Sequence, residues 1–455
     1  MRALTPREIT LGALVLFGIG ITAAVALLTN FSGTTPAERL DAIRTSATLV
    51  VGTGGAAALW LAARRQRSAE LTLAHQQKVA ADDLLDAKER RLTELYVKAV
   101  EQLGSDKAAV RCGGLYALER VAQMNPDQRQ TVVDVICAYL RGPYALPPDK
   151  PGTRRLGVPR PLVNSPTRII APEAARRSAN TSPAQRDQER RQEREVRLTA
   201  QRILACHLRP GTDPKHPVGT FWNDIDIDLT EATLINADFT NCHIRTATFT
   251  RADFAGEASF RQATFTGKSW FDEASLAANG NFEKATFTEN VSFAGTSFFG
   301  TASFRGASFA QDALFYETSF TGLVAFDGAS FTRVTSFADA RFGGPTTFLG
   351  ATWTASSEEM NYGAIVTFQG ASFAGIAVFH ATRFGDFTSF QSVSFAREAL
   401  FERAHFAGEA IFDESSFGAT PRLADTHFTR DVPPELRLAH ADQNEAKPGS
   451  PELGQ

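Results

Sequence analysis

The chain has 455 residues, 21% of them charged, with a formal net charge of −3. That length leaves room for two or three domains, and the near-neutral balance excludes a generally basic nucleic-acid binder. The charge is unevenly spread, however: residues 141–220 hold 16 Lys and Arg against 7 Asp and Glu, whereas residues 223–430 hold 13 against 24.

At the N-terminus, Leu11–Thr29 and Thr45–Ala63 each run from end to end without a charge. A helix needs about 20 apolar residues to cross ~30 Å of hydrocarbon, so residues 1–63 read as a two-helix transmembrane hairpin. Arg2 and Arg7 precede the first segment, and Arg64, Arg65 and Arg67 follow the second. These basic flanks put the N-terminus and the C-terminal domain on the cytoplasmic side of the cell membrane. Gly52, Gly54 and Gly55 would let another helix come close to the second span.

Residues 64–140 read as a long helix followed by a HEAT-like helical module. Arg64–Leu103 lacks Pro and Gly, which predicts one helix. Leu71, Leu85 and Leu92 fall at multiples of seven with Lys78 and Ala99 in the same column, a pattern compatible with a coiled-coil homodimer. Ser105 and Asp106 are expected to cap a helix from Lys107, and Asn125-Pro126 to open another through Leu140. Residues 141–192, rich in Pro and Arg, read as a basic linker. Residues 193–222 hold a capping helix and a lead-in, and residues 431–455, with Pro433-Pro434, a flexible tail.

Residues 223–430 carry a repeat. Centres run Leu229, Leu234, Phe239, Ile244, Phe249, Phe254 at fives. They then alternate six and five through Phe260, Phe265, Phe271, Phe282, Phe287, Phe293, Phe304, Phe309, Phe326 and Phe331 to Trp353. A second run starts at Phe368 and continues through Phe373, Phe390, Phe395 and Phe412 to Phe428. Of the chain's 35 Phe, only Phe17, Phe31, Phe221, Phe299 and Phe387 stand off the pattern. Two places before each centre sits mainly a small residue, such as Ala252, Ala263 or Ala307. A large and a small group can both point inward from one short extended face if the chain turns after every unit, and four faces make a coil. Stacked coils pair at about 4.8 Å and superpose Phe on Phe along the axis, as a core ladder.

The stretches ATLINADFT and RADFAG resemble the pentapeptide-repeat family, in its Phe-rich form. The resemblance implies a mainly β solenoid, a right-handed quadrilateral β-helix, here of about nine coils and roughly 40–45 Å. The alternation of five and six departs from strict fives and bears on the turns. A small group follows the centre in nearly every six-residue unit, which gives two smooth and two charged sides.

The rhythm breaks between Trp353 and Phe368. Three fives would turn Glu358 inward, and a buried carboxylate is costly without a partner. A loop is therefore expected here, with Ser356, Glu358, Glu359, Met360 and Tyr362 as the candidate interaction residues. Cys112, Cys137, Cys206 and Cys242 lie far apart, and the eight His are scattered. Phosphate-loop, HExxH and GxSxG motifs are lacking. No catalytic, cofactor or metal site is expected, nor direct nucleic-acid binding. The expected role is a membrane-anchored, non-enzymatic interaction scaffold for a protein partner. The alternative that the resemblance implies is a mimic of the DNA duplex that binds a topoisomerase through the acidic β-helix.

Overall fold

The computed structural model describes residues 6–30, 35–147, 182–213, 215–354 and 364–445. They fall into two compact units, Met1–Thr93 and Glu94–Gln455.

The first unit contains helix α1, Pro6–Asn30, and most of α2, Pro36–Leu103. The second apolar segment and the neck, expected as separate elements meeting at residue 63, are one helix of 68 residues. Continuity follows from composition, since Ala, Leu, Glu, Lys and Gln run on past the three arginines with nothing to break the backbone bonding. Among the described residues α2 is the one helix long and apolar enough to cross a membrane, and α1 contributes a shorter apolar stretch, Phe17–Asn30.

The second unit is a parallel β-solenoid capped at its N-terminal end. One coil is the step from Ser308 to Ser330, which lie 22 apart in sequence and one above the other in space. Each coil lays down four short faces, named here in chain order from the first coil: the first face centred on Leu229, the second on Leu234, the third on Phe239 and the fourth on Ile244. Nine strands stack in parallel on the first face and nine on the fourth. The second and third faces merge into one 15-stranded sheet. They merge because Thr233–Asp238 and Asp253–Ser259 pass round the corner as single strands with a bulge. On the fourth face Thr286–Phe287 pairs with Thr264–Phe265 on one side and Ser308–Phe309 on the other. Phe260, Phe282, Phe304 and Phe326 on the third face stack at 4.7–4.9 Å, with ring planes within 10° of parallel. Rings of the opposite first and third faces meet edge to face, as Phe271 and Phe282 do at 5.4 Å and 85°. Offset stacking along the axis and edge-to-face contact across it are the two arrangements the ring quadrupole favours.

Two kinds of corner explain the alternation of five and six. After the first and third faces the centre's carbonyl accepts from the N–H three residues on, as Phe249 does from Ala252 at 2.9 Å. The residue two past the centre has positive φ there, whether it is Arg251, Lys284 or Gly306. That is a type II turn. After the second and fourth faces the residue past the centre instead donates its N–H to the centre one coil back, as Thr288 does to Phe265 at 2.9 Å. The extra residue completes this wider corner. Backbones there approach so closely that a Cβ on Gly344 would strike the carbonyl of Gly322. On the second face the crowded slot lies two past the centre, and Gly300, Gly322, Gly344 and Gly375 hold it in successive coils.

The interruption leaves the ladder intact. Trp353 stacks on Phe331 at 4.8 Å and on Phe384 at 5.5 Å, and Phe368 stacks on Phe337 at 4.9 Å. Thr335 pairs with Val366. The regular step from Thr335 would end at Ser357, so this one coil carries a surplus of nine.

Helices α3 (Ala108–Met124), α4 (Arg129–Arg141) and α5 (Pro183–His207) pack together against the first coil. The capping helix expected from Glu193 begins earlier, where Ser182 accepts from the Gln185 N–H and Pro183 takes the first helical position. Asn125 does not cap α4; its side chain bonds back to the Val121 carbonyl at 3.0 Å, and a 3-10 turn, Pro126–Gln128, leads into the helix. At the other end, within the tail expected to be flexible, the described residues form a turn at Pro434–Leu436, which buries Leu436, and α6, Arg437–Glu445.

Candidate interaction surfaces of the solenoid

The interior offers no room for a ligand among the described residues, because the ladder fills it. Phe249, Phe254, Phe260, Phe265, Phe271, Phe282, Phe287, Phe293, Phe304, Phe309, Phe326, Phe331, Phe373, Phe390, Phe395 and Phe412 are all at most 2% exposed. Any recognition must use the outside.

The outward rows differ in chemistry. The second face presents Ser275, Ser297, Ser319, Ser372 and Ser394, and the fourth Thr264, Thr286, Ser308 and Ser330. Arg341 interrupts the first of these rows, and the second runs on through Thr352 to Arg383, His405 and His427. The corners after the first and third faces carry half of the described acids of the solenoid, and bases interleave with acids there and elsewhere. Arg251 pairs with Glu231 at 2.8 Å, Arg305 with Asp327 at 3.1 Å, Arg333 with Asp312 at 3.5 Å and Arg261 with Glu283 at 3.8 Å. Near the first coil Arg245 grips Asp226 at 2.6 Å and holds its carboxyl below the usual carboxylate range.

One side is apolar. The large hydrophobic side chains exposed on the described solenoid are Phe299, Tyr316, Leu323, Leu349 and Ile376. Four of these border the third face: Leu323 and Ile376 at its leading edge, Phe299 at the corner before it and Leu349 just past its centre. Val378 and Leu400, half-buried, continue the patch along the outward row. The Leu323 carbonyl accepts from Ala302, and the Ile376 carbonyl from Thr346. These ladder bonds fix the two side chains in one column, two coils apart.

Sequence reasoning did not find this patch, although Phe299 was visible as a Phe off the pattern. Leu323 and Ile376 occupy a slot that Asn279 and Thr301 fill in earlier coils, and only the turn geometry shows that the slot faces out. The proposed loop residues Ser356, Glu358, Glu359, Met360 and Tyr362 lie outside the described residues. The paired carboxylates Asp272-Glu273 and Asp413-Glu414 sit on outward corners, where Asp272 accepts from Ser292 and Glu414 from Ser392. His405 and His427 stack at 5.0 Å. Burial, then His427 and Arg383, hold His405 below its ordinary pKa. Among the described residues no cluster of His, Cys, Asp or Glu is placed to hold a metal. Burial pushes the Cys137 and Cys242 thiols up to about 12, which leaves both unreactive at neutral pH.

A solenoid of this build, with a five-residue rhythm and a centre and a small residue inward, is the architecture of pentapeptide repeats. Residues 229–275 and 368–416 match the family described as Pentapeptide repeats (9 copies), which supports that assignment for the solenoid. No curated protein and no solved structure matches the chain.

Proposed function

We propose that the protein is a membrane-anchored, non-enzymatic scaffold whose solenoid binds a protein partner in the cytoplasm. The observation that carries the reading is the apolar patch of Phe299, Leu323, Leu349 and Ile376 on an otherwise polar, rigid surface. Contiguous exposed apolar side chains on a soluble domain mark interaction sites, and a solenoid holds them at fixed spacing without further ordering cost. The anchor is supported by the N-terminal helices, where Leu14, Val51 and Leu59 are 67%, 73% and 74% exposed. Such side chains suit lipid and not water. Duplex mimicry is disfavoured by the interleaved ion pairs, since a phosphate backbone presents one sign of charge throughout.

The test is proximity crosslinking in native membranes with the wild type and with the double variant Leu323→Asp/Ile376→Asp, which leaves the ladder untouched. The expected outcome is selective loss of one crosslinked partner at an unchanged melting temperature. Retention of every partner by the variant would sink the assignment of the patch. Capture of a topoisomerase that the variant keeps would favour the mimic.

A further inference from the structure

The apolar part of α2 has two sides that differ in what they meet. Toward α1, Gly20 lies against Thr53, and a Cβ on Gly20 would come 2.8 Å from the Thr53 hydroxyl oxygen. Leu14 and Phe17 line one apolar pocket with Thr53, Gly54, Ala57 and Leu61. At about 100° per residue, Gly52, Gly55 and Leu59 point the opposite way. A Cβ on Gly52 or Gly55 would meet nothing within 4 Å. Gly52 and Gly55 therefore do not serve the hairpin contact, whereas Gly54 lines it.

That free side continues along the same helix. Steps of three and four residues from Leu59 lead through Ala63 and Gln66 to Leu73 and Leu84, which are 56% and 65% exposed. Leu73, Leu84 and Leu95 are spaced by elevens. An 11-residue repeat has about 3.67 residues per turn, close to a straight α-helix, so the stripe stays on one side over its whole length. The sevens that start at Leu71 lose the stripe at Lys78.

We propose that this stripe is the interface with a second copy of the chain, the two α2 helices lying parallel and in register; the register rests on the membrane-anchor reading above. The composition of the stripe changes where the solvent changes. In the apolar segment the free side carries Gly52 and Gly55 beside Leu59, and the glycines let helix backbones approach where lipid supplies no hydrophobic drive. In the neck it is leucine, whose burial from water supplies one. Two copies held in one bilayer by the same segment present glycine to glycine and leucine to leucine at the same height, and tethering raises their effective concentration. A different partner would need the same change of chemistry at the same level. Glu70 and Lys88 interrupt the stripe, each a turn from a leucine, and their long side chains carry the charge past the seam to water.

The test uses the full chain in its own membranes, with the exposed Cys206 replaced (Cys206→Ser). Single cysteines are introduced on the stripe (Leu73→Cys or Leu84→Cys) or on the far side (Asp86→Cys), followed by mild oxidation. The expected result is a disulfide-linked dimer from both stripe variants and none from Asp86→Cys. Equal linking on both sides, no dimer at all, or a stripe adduct with a different protein would each overturn the proposal. Carbonate extraction of the same membranes separates the two readings. A linked dimer that washes off removes the anchor and keeps the pairing, whereas an unlinked chain that resists extraction keeps the anchor and removes the pairing.

Discussion

Thr318 and Thr335 occupy the same slot, two residues before a centre, and both are buried. On the second face the Thr318 hydroxyl donates to the Phe293 carbonyl at 2.9 Å, as Thr296 does to Phe271 at 2.6 Å. On the first face no acceptor lies within reach, and the Thr335 hydroxyl is unpaired. A buried hydroxyl without a partner costs about 1–3 kcal/mol, and a made bond contributes about 1 kcal/mol. The same substitution should thus have opposite signs: Thr318→Val lowers the denaturation midpoint by about 1 kcal/mol equivalent, and Thr335→Val raises it by a similar amount. Denaturant melts of the two variants beside the wild type check this. The sequence shows only a small residue at a fixed offset in both places. The difference arises from the type II turn, which leaves a centre's carbonyl facing the next coil on one side only.

The end of the solenoid is sealed by side chains that imitate a strand. Gln201 on α5 donates to the Ile235 carbonyl and accepts the Ile235 N–H, both at 2.9 Å. Gln130 on α4 does the same at Asp226, again with both bonds at 2.9 Å. The helices are held in place by Arg197, only 2% exposed as a side chain, which bonds Glu193 and the Leu140 carbonyl while Glu193 also accepts from Arg111 and Tyr139. Gln201→Leu leaves a buried N–H and C=O unpaired and should cost about 1–3 kcal/mol for each group orphaned, and Gln130→Leu, at a half-buried pair, should cost less. Hydrogen exchange reads it directly: the Ile235 or Asp226 amide should lose protection while amides several coils away keep theirs. A capping helix near residue 200 was legible from the apolar side formed by Val196, Ala200, Ile203 and Leu204. The glutamines were not, because on a helical wheel they look like solvated surface, and nothing local reveals an open sheet edge opposite them. The α3–α4 pair was legible as amphipathic helices, but the first coil it would cover was not.

At the scale of the whole molecule the length of the coil governs everything else. The ladder was readable from sequence because each centre is large, apolar and close to its expected place. By spacing alone the interval from Trp353 to Phe368 fits three fives as well as one six with nine to spare, and only the carboxylate of Glu358 argued for a loop. The pairing of Thr335 with Val366 decides for the second. Removing residues 355–363 joins Thr354 to Ala364 and restores a six-residue unit, so this deletion should keep the melting temperature of the parent. Making the deletion one residue shorter or longer should lower it, because a one-residue slip turns a strand's inward side chains outward. Comparing thermal melts of the three deletions settles the register.

One consequence reaches beyond the single chain. Every coil presents to the next a square of open strand edges, and every square has nearly the same outline. A terminal coil is therefore a template that any other terminal coil could extend, with no natural stopping point. The N-terminal helices and the Leu436 turn with α6 make the particle finite. A chain stripped of them should grow end on end into filaments of unchanged cross-section.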